Sequence, residues 1–138
     1  MAPTASIIVP TLARPAYLEV TLASIAPQAR RAGAELIVVD DGNRPETRAV
    51  AARHGARYAP HPEPRGPNAA RNTGIALAGA PLIVLVDDDV DAPDGWLDAL
   101  LTATANAPGV DVFGGPIRAR LEGARLHACG RAGRGRGA

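Results

Sequence analysis

Three consecutive aspartates, Asp87–Asp89, follow directly after an apolar run, and a second acidic pair, Asp40 and Asp41, follows another. Carboxylates at this density repel one another strongly unless a cation or hydrogen-bond donors compensate them. A divalent metal ion shared with a phosphate-bearing ligand is the simplest compensation, because such ions prefer oxygen ligands. Arg71 supplies a further positive charge. These residues predict a site for a metal or a nucleotide.

The elements that must position these acids alternate along the chain between apolar runs and helical patterns. Five runs predict strands, namely 6–10, 35–40, 56–59, 82–87 and 110–114. Four segments predict helices, namely 15–31, 44–54, 68–77 and 94–105. Continuous rather than alternating hydrophobicity is typical of strands that are covered on both faces. The fold class is therefore predicted as α/β, an open, mostly parallel Rossmann-like sheet with helices on both faces. Ligands bind such a sheet outside the carboxyl ends of its strands, so both acidic segments are expected at one edge.

Composition excludes several classes of site. All 15 basic residues are arginine, which excludes a Schiff-base lysine and the lysine of a phosphate-binding P-loop. The single cysteine, Cys129, excludes an intramolecular disulfide and a cysteine-based zinc site. A net charge of +1 gives no reason to expect nucleic-acid binding. No targeting segment or membrane-length apolar stretch is visible, so we expect a cytoplasmic location without a transmembrane segment.

The near-neutral total hides two unlike regions. Residues 1–117 carry 9 arginines and 13 acidic residues, whereas residues 118–138 carry 6 arginines and one acidic residue. The second region is rich in arginine and glycine and has no helical or strand periodicity. We expect a domain over residues 1–117 and a disordered basic tail over residues 118–138.

Each polar feature also has a structural interpretation without chemistry. Asp40-Asp41-Gly42 is typical of a turn, while Asp91 and Asp94 are typical of a turn and a helix N-cap. Trp96 suits a core or helix-start anchor. The three histidines, His54, His61 and His127, lack metal-ligand spacing and are expected at the surface. Three aspartates directly after an apolar strand are harder to attribute to a turn.

Five segments in order resemble the N-terminal half of a family 2 glycosyltransferase with a GT-A-type fold. They are 6–11, 35–42, 70–75, 83–89 with 96–97, and 114–116. The resemblance covers roughly residues 5–118. It implies a domain that binds a nucleoside-diphosphate sugar, UDP-sugar by preference, through a divalent metal for transfer to an acceptor hydroxyl.

The resemblance also implies nucleotide-binding residues. Pro10 and Thr11 match positions that line the base pocket. Asp40 and Asp41 match carboxylates that accept hydrogen bonds from the base or ribose. Arg71 matches an arginine near the base and the phosphates.

The three aspartates match the D-x-D region of the family. By this resemblance Asp87 would contact the ribose or the metal's shell, and Asp89 would bind the Mg²⁺ or Mn²⁺ that bridges the diphosphate. Asp88 occupies the variable middle position and can share either task with the nucleotide. Gly114 and Gly115 match glycines that admit the donor sugar or the acceptor.

The residues that carry the resemblance do not include the family's general base. The family's general base lies beyond the glycine-rich strand, and Glu122 is the only acid after Asp111. We therefore expect a truncated domain that is inactive alone, with an unidentified acceptor.

Other functions are also consistent with parts of the sequence. A phosphohydrolase of the haloacid dehalogenase type also uses a strand followed by D-x-D, and a receiver domain also has an acidic pocket, but both require a lysine. A non-catalytic remnant of the fold is a further alternative.

Overall fold

The computed structural model describes residues 1–120, which form a four-stranded parallel sheet and four helices. The strands are β1 (Ser6–Thr11), β2 (Glu35–Asp40), β3 (Arg57–Pro60) and β4 (Ile83–Leu85). The helices are α1 (Pro15–Ala32), α2 (Pro45–Arg53), α3 (Pro67–Leu77) and α4 (Trp96–Asn106). The order in the sheet is β3-β2-β1-β4, with every neighbouring pair parallel. The predicted α/β class with an open sheet is confirmed.

Helices cover both faces of the sheet, as predicted. One face packs against α1, α2 and α4, and α1 presents Leu18, Leu22 and Ile25 to this core at helical spacing. Helix α1 ends where Gly33 adopts the left-handed conformation, with a φ of 68°. Every residue of the central strand β1 is buried, and in β2 only Glu35 is partly exposed.

The second face is covered by α3, which approaches β1 unusually closely. A Cβ atom placed on Gly74 would lie 2.3 Å from Cγ2 of Ile8, so only glycine fits at this position. Ala70 and the buried residues Ile8, Ile37 and Val39 complete this smaller core. The close approach fixes α3, and with it Arg71, relative to the end of β1.

Two predictions about elements are wrong in detail. The fifth strand, predicted over residues 110–114, is absent: residues 107–120 contain no helix or strand, and Val112 is 84% exposed. An apolar run forms a strand only when a neighbouring strand supplies hydrogen-bond partners. The predicted N-cap Asp94 is also not the cap, because Gly95 takes that place and α4 begins at Trp96. Asp94 instead forms an exposed ion pair with Arg31 at 2.7 Å.

Three further predictions concern the exposure of His54, membrane-spanning segments and the basic tail. His54 is only partly exposed, and its Nε2 lies 2.8 Å from Oε1 of Glu19. Within residues 1–120, no helix has the length and apolarity needed to cross a bilayer. Residues 121–138, which include most of the predicted tail together with Glu122, His127 and Cys129, lie outside the described residues.

Candidate functional site

A cleft of about 550 Å³ opens at the carboxyl ends of β1, β2 and β4. It contains all but one of the site residues that the sequence predicts. The predicted residues that line it are Pro10, Thr11, Asp41, Arg71, Asp87, Asp88 and Asp89. The missing one is Asp40. Leu12, Arg14, Pro64, Gly66, Pro67 and Ala70 complete the lining. The edge predicted from the parallel sheet is therefore where the acidic segments meet.

Pro10 determines where the cleft begins. The amide of Val86 donates to the carbonyl of Ile8 at 3.0 Å, which is the last bond between β1 and the chain of β4. The next bond on that side would need an N–H at Pro10, and proline has none. Pairing therefore stops after Val86, and the following residues turn away from the sheet. The separation leaves the strand ends open to a ligand.

Asp88 is buried between two residues of the β1 end. Its Oδ2 accepts a hydrogen bond from the hydroxyl of Thr11 at 2.7 Å and another from Nε of Arg14 at 3.2 Å. Nη2 of Arg14 donates to the other oxygen, so the guanidinium grips the carboxylate with two nitrogens. This pairing with Asp88 raises the pKa of Arg14 above its ordinary value. Asp88 is thereby neutralised by the protein itself.

Asp87 and Asp89 are exposed where Asp88 is not. Their side chains are 64% and 51% exposed, against 3% for Asp88. Asp87 accepts a hydrogen bond from Nη2 of Arg71 at 3.1 Å, and Asp89 lies 3.9 Å from Nη1 of Arg14. Both carboxylates thus retain oxygen atoms that are free to contact a ligand in the cleft. The sequence alone did not distinguish these two aspartates from Asp88.

Asp40 lies beneath the cleft rather than in it. Its two oxygens accept hydrogen bonds from the amides of Gly42 and Arg44, at 3.0 and 2.7 Å, and from the hydroxyl of Tyr58 at 2.6 Å. Burial, and then the bond to Asp40, raises the pKa of Tyr58 to about 12. Asp40 is fully buried, so direct contact between its carboxylate and a base or ribose would require the residues that cover it to move. Its observed role is to shape the loop after β2.

Asp41 is buried at the cleft wall and organises the loop over residues 61–66. Oδ1 accepts hydrogen bonds from the amide of Arg65 at 2.9 Å and from Nδ1 of His61 at 2.7 Å. Oδ2 accepts one from the amide of Gly66 at 2.8 Å. Burial by itself would raise the pKa of Asp41, but these three donors hold it below its ordinary value. Gly66 can direct its amide inward because its φ is 98°, a conformation that favours glycine.

His61 contradicts the prediction of a surface residue. It is 4% exposed, and its ring connects Asp41 to Thr73 of α3, with Nε2 lying 2.8 Å from the Thr73 hydroxyl. Sequence reasoning missed it because its partners lie 20 residues before it and 12 residues after it. Arg14 was missed as well, since no spacing along the chain connects it to Asp88. An arginine just beyond the end of β1 was the available signal.

A second, shallower groove of about 440 Å³ lies between α1 and α2. It is lined by Glu19, Glu46 and Arg53 together with small apolar residues. Arg53 and His54 already pair with Glu19, and hydrogen bonds from Arg53 and His54 lower its pKa. None of the residues that line this groove is a site residue predicted from the sequence, so the predicted chemistry belongs to the first cleft.

The cleft suits a hard divalent cation that brings part of its own coordination shell. Within residues 1–120, no three histidine, cysteine or acidic side chains are grouped closely enough to hold a metal ion by themselves. Mg²⁺ is commonly held by one or two carboxylates together with water and substrate phosphates. Asp87 and Asp89 offer two exposed carboxylates of this kind, whereas Asp88 is occupied by Arg14 and Thr11.

Two solved structures to which the fold of this chain is similar are those of glycosyltransferases. The mannosyltransferase PcManGT from Pyrobaculum calidifontis, in complex with GDP-Man and Mn²⁺, superposes with a TM-score of 0.62 at 26% identity, over 75% of this chain and 32% of that chain. Glucosyl-3-phosphoglycerate synthase from Mycobacterium tuberculosis, in complex with Mn²⁺, UDP and glucosyl-3-phosphoglycerate, superposes with a TM-score of 0.61 at 26% identity, over 72% of this chain and 39% of that one.

The amino-acid sequence leads to the same group of proteins. The pre-mycofactocin glycosyltransferase of Mycobacterium tuberculosis is 39% identical over 72 residues, which are 50% of this chain and 15% of that protein. The chain thus spans well under half the length of these relatives. The model of the family described as glycosyl transferase family 2 matches residues 6–131. With its parallel sheet, its acidic cleft and this match, the chain belongs to glycosyl transferase family 2.

Proposed function

We propose that residues 1–117 bind the nucleoside diphosphate of a sugar donor, UDP-sugar by preference, in the cleft at the strand ends. The observation that carries the proposal is the convergence of two exposed carboxylates, Asp87 and Asp89, with two arginines, Arg14 and Arg71, at one sheet edge. A diphosphate needs cationic donors, and a metal ion that accompanies it needs carboxylates. The relatives that bind UDP or GDP-Man together with Mn²⁺ support this assignment.

The walls of the cleft suit a base and a diphosphate at different places. Asp41 and Thr11 lie at the ends of β2 and β1, where a carboxylate and a backbone can meet the polar edge of a base. Pro64 and Pro67 supply rigid apolar surface beside them. On the side of Asp87, with which it pairs, Arg71 is 31% exposed and can direct a guanidinium at phosphate oxygens. We assign the base to the first side and the diphosphate to the second.

Asp87 and Asp89 would hold the Mg²⁺ or Mn²⁺. When bound, this ion supplies Lewis-acid stabilisation of the negative charge that grows on the departing diphosphate during sugar transfer. Arg14 occupies the Asp88 carboxylate, so that Asp88 is not available as a ligand of the ion. Arg71 positions Asp87 at the cleft through a hydrogen bond. The described residues are thus assigned to donor binding, and the general base that activates the acceptor hydroxyl is assigned to none of them.

Calorimetric titration of the 138-residue chain with UDP and with GDP, each with and without Mn²⁺, tests the proposal. We expect binding that requires the metal. Asp89→Ala should abolish the metal-dependent part, because one of two exposed carboxylate ligands is lost. Asp91→Ala is the matched control: Asp91 follows closely in the chain but pairs with Arg120 at the surface, and its removal should leave binding unchanged.

Two results would contradict the proposal. Equal binding by Asp89→Ala and the parent chain would show that Asp89 is not a metal ligand. Failure of every nucleotide to bind the parent chain at millimolar concentration with Mn²⁺ would reject donor binding by this cleft.

A further inference from the structure

His61 is a buried polar residue to which neither the family resemblance nor the proposed function gives a role. It follows directly after β3, and its amide donates to the carbonyl of Asp40 at 2.8 Å. Its ring then joins Asp41 and Thr73. The residue therefore contacts the end of β2, the cleft wall and α3 at once, each through a hydrogen bond.

The tautomer of the His61 ring follows from its partners. An ionised carboxylate can only accept, so Nδ1 carries the proton that is donated to Oδ1 of Asp41. In the neutral ring Nε2 is then an acceptor, and the Thr73 hydroxyl donates to it. Asp41 therefore selects the ring form, whereas the Thr73 hydroxyl, which can both donate and accept, completes the pairing of Nε2.

The same contacts restrict what Asp41 can still do. A carboxylate has about four acceptor positions, two on each oxygen. On Oδ1 both are used, by His61 and by the amide of Arg65, while on Oδ2 one is used by the amide of Gly66. One acceptor position on Oδ2 is left, and Asp41 lines the cleft. The surrounding donors prevent the carboxylate from rotating, so this position has one direction.

We propose that His61 is a positioning residue for the nucleotide base, which it serves by fixing the Asp41 carboxylate and the wall formed by residues 61–66. This inference rests on the proposed function. It implies a preference for a base that presents an N–H donor to Asp41. Uracil has such a donor at N3, whereas cytosine has an acceptor there. Loss of His61 should therefore weaken UDP binding and reduce the preference for UDP over CDP.

The test compares three substitutions in the full chain, titrated with UDP and CDP in the presence of Mn²⁺. His61→Ala removes both ring contacts and should weaken UDP binding about tenfold, as is typical for residues that support a binding group. His61→Asn places an amide nitrogen where Nδ1 stands and should restore most of the affinity and the UDP preference. His61→Gln places its amide nearer Thr73 and should not.

A purely structural role is separated by a matched control. Gln28 is also buried, and its side chain bonds Leu97 and Pro93, neither of which lines the cleft. Gln28→Ala should lower the thermal midpoint as His61→Ala does, yet leave UDP affinity unchanged below that midpoint. The inference is overturned if His61→Ala retains the parent's UDP affinity and UDP preference, or if Gln28→Ala loses as much. If the parent chain binds neither nucleotide, the proposed function fails together with it.

Discussion

The acidic residues of the cleft fall into two groups whose surroundings differ. Asp41 and Asp88 are buried and accept hydrogen bonds from donors that the protein supplies. Asp87 and Asp89 are exposed and retain only partial contacts with arginines. Burial of a charge is tolerated only with full compensation, whereas an exposed carboxylate stays available to a cation. The comparison separates the acids that build the cleft from those that can bind within it.

The comparison predicts that the buried group controls stability and the exposed group controls ligand binding. Asp41→Ala should have the largest effect, because it leaves His61 and two backbone amides without their acceptor. We expect a loss of about 3 kcal/mol in the free energy of unfolding. Denaturation by urea, followed by circular dichroism, measures it. A loss below about 0.5 kcal/mol would remove the distinction between the two groups.

Asp88→Ala should have a smaller effect of the same kind. It deprives the Thr11 hydroxyl of its acceptor, but Arg14 is about half exposed and recovers contact with water. The expected loss is about 1.5 kcal/mol in the same urea experiment. Thr11→Val, which keeps the shape and removes only the hydroxyl, serves as the comparison. A loss for Asp88→Ala that exceeds that of Asp41→Ala would reverse the predicted order.

The contribution of Asp41 to the free energy of unfolding should also depend on pH. Its pKa is lower in the folded chain than in the unfolded one, where the ordinary value is about 3.9. Its ionised form therefore stabilises the fold above about pH 4, and this stabilisation is lost as the pH falls through the lower folded value. The difference in unfolding free energy between the parent and Asp41→Asn should shrink from pH 7 to pH 3. A constant difference over this range would contradict the conclusion that the ionised Asp41 carboxylate stabilises the fold.

Asp87→Ala should have the smallest effect on stability. Its side chain is 64% exposed, and its ion pair with Arg71 lies at the surface, where such pairs contribute little. We expect a change within about 0.5 kcal/mol in urea denaturation, together with weaker metal-dependent nucleotide binding. A destabilisation comparable to that of Asp41→Ala would show that Asp87 belongs with the acids that build the cleft.

Local patterns were sufficient for the elements that the core holds in place. The two apolar runs predicted as strands form β1 and β2. Leu18, Leu22 and Ile25, predicted to share a helix face, are buried together in the core. The apolar run over residues 110–114 shows the limit of such patterns, because strand formation also requires a paired neighbour. His61 shows another limit, since burial of a polar residue depends on partners that sequence periodicity does not reveal.

The amino-acid sequence alone determined the α/β class, the parallel direction of the apolar strands and the meeting of two acidic segments at one edge of the sheet. These follow from short-range hydrophobic patterns and from the geometry of parallel sheets, which brings all carboxyl ends together. Only the tertiary structure decided which of three identical neighbours, Asp87–Asp89, is buried, and that His61 supports Asp41. Thr11 and Arg14 select Asp88 because they reach it across more than 70 residues of chain. Hydrogen bonds between residues so distant in sequence exist only once the sheet and helices have packed.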